Sequence, residues 1–256
     1  MAEDRVATAA ASAVFRRPPW LVPGGLLLIL AFLTVSVVSG GPLVGLDRRI
    51  RAAVQAQAHS AAWHWVGGSW HAPARLLVEL GNSQVAVPVL ALSAVIVAAR
   101  HRSLRPLLAA AAGVVLLLVT VIPVKILIGR PGPGQPAVAP GHLGVFPSGH
   151  TTTAGVCLAL AVLLLAPDLR AGIRRAEVAV IAALCFLVGM ALIWCDFHWL
   201  TDVAAGWALT ALIVTAALRL AGLRPAGPAG NSGSGHAVGS VVATVTREET
   251  DDSARA

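Results

Sequence analysis

The chain has 256 residues, of which 57% are hydrophobic and only 12% are charged. This composition is too apolar for a water-soluble domain of this length and indicates a membrane protein. The formal net charge is +7, but the basic residues are scattered through short loops beside apolar stretches, so we exclude nucleic-acid binding. The cysteines, Cys157, Cys185 and Cys195, are odd in number and lie in or next to apolar stretches. A disulfide framework or a cysteine-based metal site is therefore not expected.

Six apolar stretches can be placed as membrane helices, because about 20 residues span the hydrocarbon core of a bilayer. We predict an all-α, polytopic membrane protein, with the fourth span the shortest. The predicted spans are roughly 20–38, 83–99, 104–128, 151–166, 178–194 and 199–220. Three segments follow from them: a cytoplasmic N-terminal segment (1–19), a six-span membrane domain (20–222) and a disordered cytoplasmic tail (223–256), which is rich in small and polar residues.

The arginines predict the orientation in the cell membrane. They cluster before the first span, between the second and third, between the fourth and fifth, and after the sixth. Short loops rich in arginine stay in the cytoplasm, so both termini are expected inside, and the remaining loops outside. The first outer loop opposes this rule with four arginines: Arg48, Arg49, Arg51 and Arg75.

That outer loop, residues 46–82, mixes arginines and tryptophans with alanines and is predicted to form an interfacial amphipathic helix. Its histidines, His59, His64 and His71, could be metal ligands. However, no carboxylate or cysteine accompanies them at a ligand spacing, so the interfacial interpretation is favoured and no metal is expected.

The residues most suggestive of chemistry precede the fourth span, in the sequence Phe146-Pro147-Ser148-Gly149-His150. A Pro-Ser-Gly sequence just before a helix presents backbone N–H groups and a hydroxyl to an anion. A histidine in the first turn can give a proton to a leaving oxygen. A phosphate pocket is the favoured interpretation.

A second polar group lies at the start of the sixth span. His198 and Asp202 are four residues apart, so they share one face if the segment is helical, and the carboxylate can fix the imidazole's tautomer. Lys125, the chain's only lysine, lies near the outer end of the third span. Taken alone, the pair could be an interfacial ion pair, and Lys125 could be a snorkelling side chain at the membrane surface.

Taken in order, Lys125, the Pro-Ser-Gly-His sequence and His198-x3-Asp202 resemble the signature of the type 2 phosphatidic acid phosphatase family, the membrane relatives of vanadium haloperoxidases. The resemblance covers roughly residues 80–220. It implies a metal-independent phosphatase without a cofactor that forms a phosphohistidine. By position, it implies that His198 is the nucleophile, Asp202 its orienting partner and His150 the general acid, and that Lys125, Ser148 and Gly149 bind the phosphate.

Two arginines of the family's signature are absent. The first motif, Lys-x6-Arg-Pro, reaches Gly132-Pro133 from Lys125, and the Ser-Arg pair of the third motif falls on Ala191 and Leu192. Each missing donor to a developing charge typically costs about 100- to 1000-fold in rate. Arg130, which is followed by a proline two residues before the usual place, is predicted to substitute for the first.

The favoured function is an integral membrane phosphatase that hydrolyses a phosphate monoester or pyrophosphate of a lipid or isoprenoid at the outer face. The alternative is a non-catalytic relative that binds an anionic lipid or a partner, as the two missing arginines would allow. A small transporter fits less well, because the polar residues lie at the membrane edge and not at its midplane. Asp196 could be a partner to a basic residue of the pocket, but it is expected to be an interfacial charge without a role there. The particular lipid and the oligomeric state are not encoded in recognisable residues.

Overall fold

The computed structural model describes residues 20–58, 71–166 and 170–223. The predicted N-terminal segment, nearly all of the predicted tail, and His59 and His64 lie outside these ranges. Within them the secondary structure is helical, without strands. The prediction of an all-α fold is confirmed for this part of the chain.

The described ranges contain eight helices. They are α1 (Leu21–Val38), α2 (Pro42–Ala58), α3 (His71–Glu79), α4 (Ser83–His101), α5 (Arg105–Ile128), α6 (Gly149–Leu165), α7 (Ala171–Trp194) and α8 (Leu200–Leu220). By length and composition, five of the described helices can cross a membrane, namely α1, α4, α5, α7 and α8. Helix α6 is apolar but has only 17 residues, so the sixth span stays a prediction.

Helix α6 is short because it lies inside the bundle. It packs against α4, α5, α7 and α8, and much of its length is buried. Small residues allow this close packing: a Cβ at Gly155 would lie 2.4 Å from Oγ1 of Thr210, and one at Gly113 would lie 2.5 Å from Cδ1 of Leu160. A helix enclosed by protein need not match the thickness of the hydrocarbon core.

The first outer loop differs from the prediction. In place of a single amphipathic helix over 46–82, two helices are described, α2 and α3. Helix α2 packs against α1, α7 and α8, and α3 packs against α7. Helix α2 packs on the bundle through a buried carboxylate, that of Asp47. Its alanine-rich sequence does not indicate this contact.

The C-terminus of α5 and the N-termini of α6 and α8 lie together at one end of the bundle. Gly129 ends α5 in a left-handed conformation, with φ of 55°, which glycine adopts without steric cost. The following loop returns to it, because Val145 N–H donates to the Arg130 carbonyl. Ser148 N–H donates to the Asp202 carbonyl. The three sequence motifs are thereby joined through the backbone.

Candidate active site

His198 and Asp202 contact each other at the start of α8. Nδ1 of His198 lies 3.3 Å from Oδ2 of Asp202, and both side chains are buried. The same oxygen accepts a hydrogen bond from the Trp199 backbone N–H at 3.0 Å. Asp202 therefore caps its own helix and holds the imidazole by one nitrogen, which leaves Nε2 of His198 for chemistry.

Arg130 binds the other side of the Asp202 carboxylate. Its Nη1 donates to Oδ1 of Asp202 and, at 2.6 Å, to Oγ1 of Thr201. Its Nη2 donates to Oδ2 of Asp47 at 2.7 Å. These contacts use three of the five N–H groups of the guanidinium. Arg130, the predicted phosphate-binding residue, thus uses three N–H groups to bind Thr201 and two buried carboxylates. Only its remaining N–H groups could reach a phosphate.

Asp47 also belongs to this site, although none of the sequence motifs includes it. Its Oδ1 accepts the Thr201 backbone N–H at 3.0 Å, and its Oδ2 accepts the Thr201 hydroxyl at 2.6 Å. Thr201 lies in the first turn of α8, where backbone N–H groups lack partners within the helix. Asp47 therefore caps α8 from another helix. Because Arg48 and Arg49 follow it, it resembled an ordinary surface charge.

Lys125 lies against the start of α6. Its Nζ donates to the Gly144 carbonyl at 2.9 Å, and its Cε would be 3.5 Å from a Cβ at Gly149. The ammonium group is also in electrostatic range of Asp202 and His150. The structure therefore brings the only lysine to the Pro-Ser-Gly-His motif and the Asp202 carboxylate.

Ser148 is the N-cap of α6. Its Oγ accepts hydrogen bonds from the backbone N–H of Thr151 at 3.3 Å and from the Thr151 hydroxyl at 2.9 Å. Its predicted contact with phosphate would have to use the hydroxyl's own proton. In the described ranges, the backbone N–H groups of Gly149 and His150 have no hydrogen-bond partner. Such a helix start is suited to an anion.

His150, the predicted general acid, is exposed in the first turn of α6. It is in electrostatic range of His198, Lys125 and Glu79. A close backbone contact fixes its position, because a Cβ at Gly81 would lie 2.7 Å from the His150 carbonyl oxygen and 2.9 Å from its Cβ. The turn between α3 and α4 therefore packs directly on the residue that carries this imidazole.

The two positions without the family's arginines have different surroundings. Leu192 is 1% exposed and belongs to an apolar cluster. The other buried members of that cluster are Val78, Ala154, Val188, Ala191 and Val203. Gly132 lies beside the side chain of Gln135, whose Cδ would be 2.8 Å from a Cβ at Gly132. An arginine has no room at position 192, whereas the atoms nearest to a Cβ at position 132 belong to a flexible, exposed side chain.

Asp196 does not match the expectation of an interfacial charge without a role in the pocket. Its two oxygens accept hydrogen bonds from Nε and Nη2 of Arg51, both at 2.8 Å, and Gln55 Nε2 donates at 3.1 Å. The hydrogen bonds between Arg51 and Asp196 raise the pKa of Arg51. Arg51 and Arg130 lie over the Trp199 ring at 5.8 and 5.4 Å from its centroid. A second ion pair therefore borders the site.

No group of three or more His, Cys, Asp or Glu side chains in the described ranges is arranged to hold a metal ion. The ligand alternative for the outer-loop histidines is not tested, because His59 and His64 lie outside those ranges. Two described cations lie near the Asp202 carboxylate that contacts His198: Arg130 bonds to it, and Lys125 lies in electrostatic range.

An apolar cavity of about 640 Å³ lies between α1, α5 and α8. It reaches from Arg219, near the end of α8, to Phe146 and Pro147, which directly precede Ser148. Thr34, Thr120 and Thr215 also line it, but their hydroxyls donate to carbonyls of their own helices. The cavity surface is therefore suited to hydrocarbon, and one end adjoins the polar site.

Comparison with known proteins agrees with this arrangement. The PAP2 superfamily profile matches residues 104–225. The fold is similar to that of a crystal structure described as the first transmembrane PAP2-type phosphatidylglycerolphosphate phosphatase from Bacillus subtilis, with a TM-score of 0.64 and 19% identity. The match covers 76% of this chain and 93% of that one, and at this identity it concerns the fold. No curated protein sequence gives a significant match. The resemblance predicted from the motifs is thus confirmed: residues 104–225 of this multi-pass membrane protein match the PAP2 superfamily.

Proposed function

We propose that the chain is a membrane phosphatase that hydrolyses a phosphate monoester or pyrophosphate of a lipid or isoprenoid through a phosphohistidine at His198. The observation that carries this proposal is the orientation of His198. Asp202 holds its Nδ1 and is itself held by Arg130, beside a helix start with free N–H groups. The match of residues 104–225 to the PAP2 superfamily supports the same reaction class.

In the first step, Nε2 of His198 attacks phosphorus, and the P–O bond to the lipid breaks as the N–P bond forms. The electron pair of the broken bond goes to the leaving alkoxide or phosphate oxygen, which takes a proton from His150. Asp202 stabilises the positive charge that develops on the imidazole. Lys125 and the N–H groups of Gly149 and His150 stabilise the charge on the phosphoryl oxygens.

In the second step, a water molecule attacks phosphorus and the N–P bond breaks, which returns the electron pair to Nε2 of His198. His150, now neutral, takes the proton of the attacking water. Inorganic phosphate leaves, and both histidines regain their starting states. The two steps together consume one water and release one alcohol, or one monophosphate when the substrate is a pyrophosphate.

The apolar cavity supports a substrate with a long hydrocarbon chain. Between Leu209 and Arg219, two of its lining residues, it extends along ten residues of α8, or about 15 Å at 1.5 Å per residue. A chain in the cavity would place its phosphate at Ser148 and the start of α6. The arginine distribution supports a site on the extracytoplasmic side of the membrane.

The alternative is a non-catalytic protein that binds an anionic lipid. The buried, apolar Leu192 favours it, because a cation of the family's signature is replaced by a core residue. This alternative retains the anion site at α6 but predicts no covalent intermediate. It and the enzyme therefore differ in two observables, turnover and the covalent intermediate.

Phosphate release from phosphatidate and from an isoprenyl diphosphate, both in detergent micelles, tests the proposal. We expect release by the unaltered protein and none above background by His198→Ala. His142→Ala is the matched control, because His142 is an exposed histidine in the loop between α5 and α6; it should keep full activity. Equal release by His198→Ala and the unaltered protein would overturn the proposal.

A further inference from the structure

The turn that carries His198 has an unusual backbone. Asp196 has a φ of 58°, a left-handed conformation that few residues other than glycine adopt, although Asp tolerates it better than most. From the side of α7, the turn is held by the Leu192 carbonyl, which accepts the N–H groups of Phe197 at 3.0 Å and His198 at 3.4 Å. These backbone contacts leave the far side of the turn to be fixed by another element.

Helix α2 supplies that element. Asp47, Arg51 and Gln55 are four residues apart, so they form one stripe along the helix. Asp47 binds Thr201, three residues after His198. Arg51 and Gln55 bind Asp196, two residues before it. One face of α2 therefore binds residues on both sides of His198, the proposed nucleophile.

We infer that α2 positions the nucleophile, with Arg51 as a positioning residue that acts through Asp196 and Asp47 as one that acts through Thr201. This inference rests on the proposed function. The family's motif has an arginine where this chain has Leu192, so α7 places no cation beside the turn. Arg51 of α2 places one there instead. Arg51 is thus a determinant of His198 orientation that lies outside the family's sequence motifs.

The contacts of Arg51 favour positioning over direct binding of substrate. Its Nε and Nη2 both bond to Asp196, and its guanidinium lies against the loop, where a Cβ at Gly134 would be 2.7 Å from Nη2. A residue that binds substrate directly would change KM when removed. A residue that orients His198 would change kcat, because the alignment of the attacking nitrogen matters in the transition state.

Kinetics of Arg51→Ala, Asp196→Asn and the double variant test this role. Asn keeps a side chain that tolerates the left-handed backbone, so the variant removes only the carboxylate's charge. We expect each single variant to lose about tenfold in kcat, equivalent to about 1.4 kcal/mol, with little change in KM. The double variant should lose no more than either single variant, because both remove the same contact. Arg48→Ala, an exposed arginine on the same helix, should behave as the unaltered protein.

A second measurement does not depend on turnover. The reaction of His198 with diethyl pyrocarbonate, carried out on the whole protein in detergent and followed by mass spectrometry of the digested peptide that contains His198, reports the freedom of the imidazole. We expect faster modification in Arg51→Ala than in Arg48→Ala. The Arg51–Asp196 pair is about one-third exposed, and such pairs contribute little to stability, so thermal unfolding should change little. Gln55→Ala, which removes one weaker contact to Asp196, gives a milder variant should Arg51→Ala not fold.

The outcomes separate the two proposals. An unaltered protein that releases no phosphate from either substrate would contradict the proposed function, while the modification rate would still decide the role of α2. An active protein in which Arg51→Ala keeps both the kcat and the His198 modification rate would overturn the positioning role. A raised KM with unchanged kcat would overturn it as well, and would assign Arg51 to substrate binding.

Discussion

The Arg130 guanidinium donates a hydrogen bond to Oδ1 of the buried Asp202 carboxylate. The other oxygen of that carboxylate contacts Nδ1 of His198, so Arg130 contacts the partner of the proposed nucleophile and not the imidazole itself. It holds Asp202 in place, and Asp202 in turn can stabilise the charge that would develop on His198. This role differs from the direct phosphate contact that the sequence suggested for Arg130.

Replacement of Arg130 by alanine should strongly destabilise the protein. It would leave Asp47 and Asp202 buried without their cation, which typically costs about 3–5 kcal/mol. We expect a clearly lower thermal unfolding temperature in detergent for Arg130→Ala, measured by intrinsic tryptophan fluorescence. Adding Asp47→Asn to that variant should restore part of the lost stability, because it removes one of the two unpaired charges. A double variant less stable than Arg130→Ala would contradict this account.

The two positions without arginine should respond in opposite ways when it is restored. Gly132→Arg meets the movable end of Gln135, so we expect a folded protein whose phosphate affinity rises by about tenfold or more, since one such donor is worth roughly 100- to 1000-fold in a preorganised site. Leu192→Arg would place a charge in an apolar cluster and should destabilise the protein. Inhibition by vanadate and thermal unfolding measure the two effects. Similar behaviour of the two variants would be inconsistent with the surroundings described.

The contact between Gly81 and His150 predicts a loss of activity from one added methyl group. A Cβ at Gly81 would be too close to the backbone and Cβ of His150, so Gly81→Ala should displace the proposed general acid. A displacement of about 1 Å can cost about 100-fold in rate, and kcat should fall accordingly. Gly45→Ala on α2, where a Cβ meets nothing within 4 Å, is the control and should leave kcat unchanged. Unaltered kcat in Gly81→Ala would show that this contact does not position His150.

The apolar cavity predicts an effect that depends on the length of the substrate. Ala216 lines the cavity on α8, and Ala216→Trp should fill part of it. We expect a higher KM for a long-chain lipid phosphate and an unchanged KM for a short, soluble phosphate monoester. Ala182→Trp, at an exposed position on α7, should change neither. An equal rise for both substrates would mean that the substitution disturbs the polar site and not a hydrocarbon chain.

Five of the six predicted spans coincide with helices that can cross a membrane, because each contains a long apolar stretch. The fifth span was predicted to begin at residue 178, whereas the corresponding helix, α7, begins seven residues earlier, at Ala171. Arg174 and Arg175 lie within its first turns, and charged residues are tolerated where a helix leaves the bilayer. Composition thus located the apolar part of this helix but not its end.

The polar site was only partly predictable, because some of its contacting residues are close in sequence and others are far apart. His198 and Asp202 were found by their spacing on one helix face. Asp47 and Arg51 were not, since they bind residues 154 and 145 positions away. One signal was present in the sequence: Asp47, Arg51 and Gln55 share one face of a helix rich in alanine. Only the packing of α2 on α8 shows what that face contacts.

The central claim is that His198 becomes covalently phosphorylated. The most direct test is to mix the purified protein with a substrate labelled with ³²P in the transferred phosphoryl group, quench within milliseconds to seconds, and measure label bound to the protein. The account predicts an acid-labile, base-stable phosphoryl group that maps to His198, is lost in His198→Ala and persists in His142→Ala. Turnover of substrate without any label on His198 would contradict it.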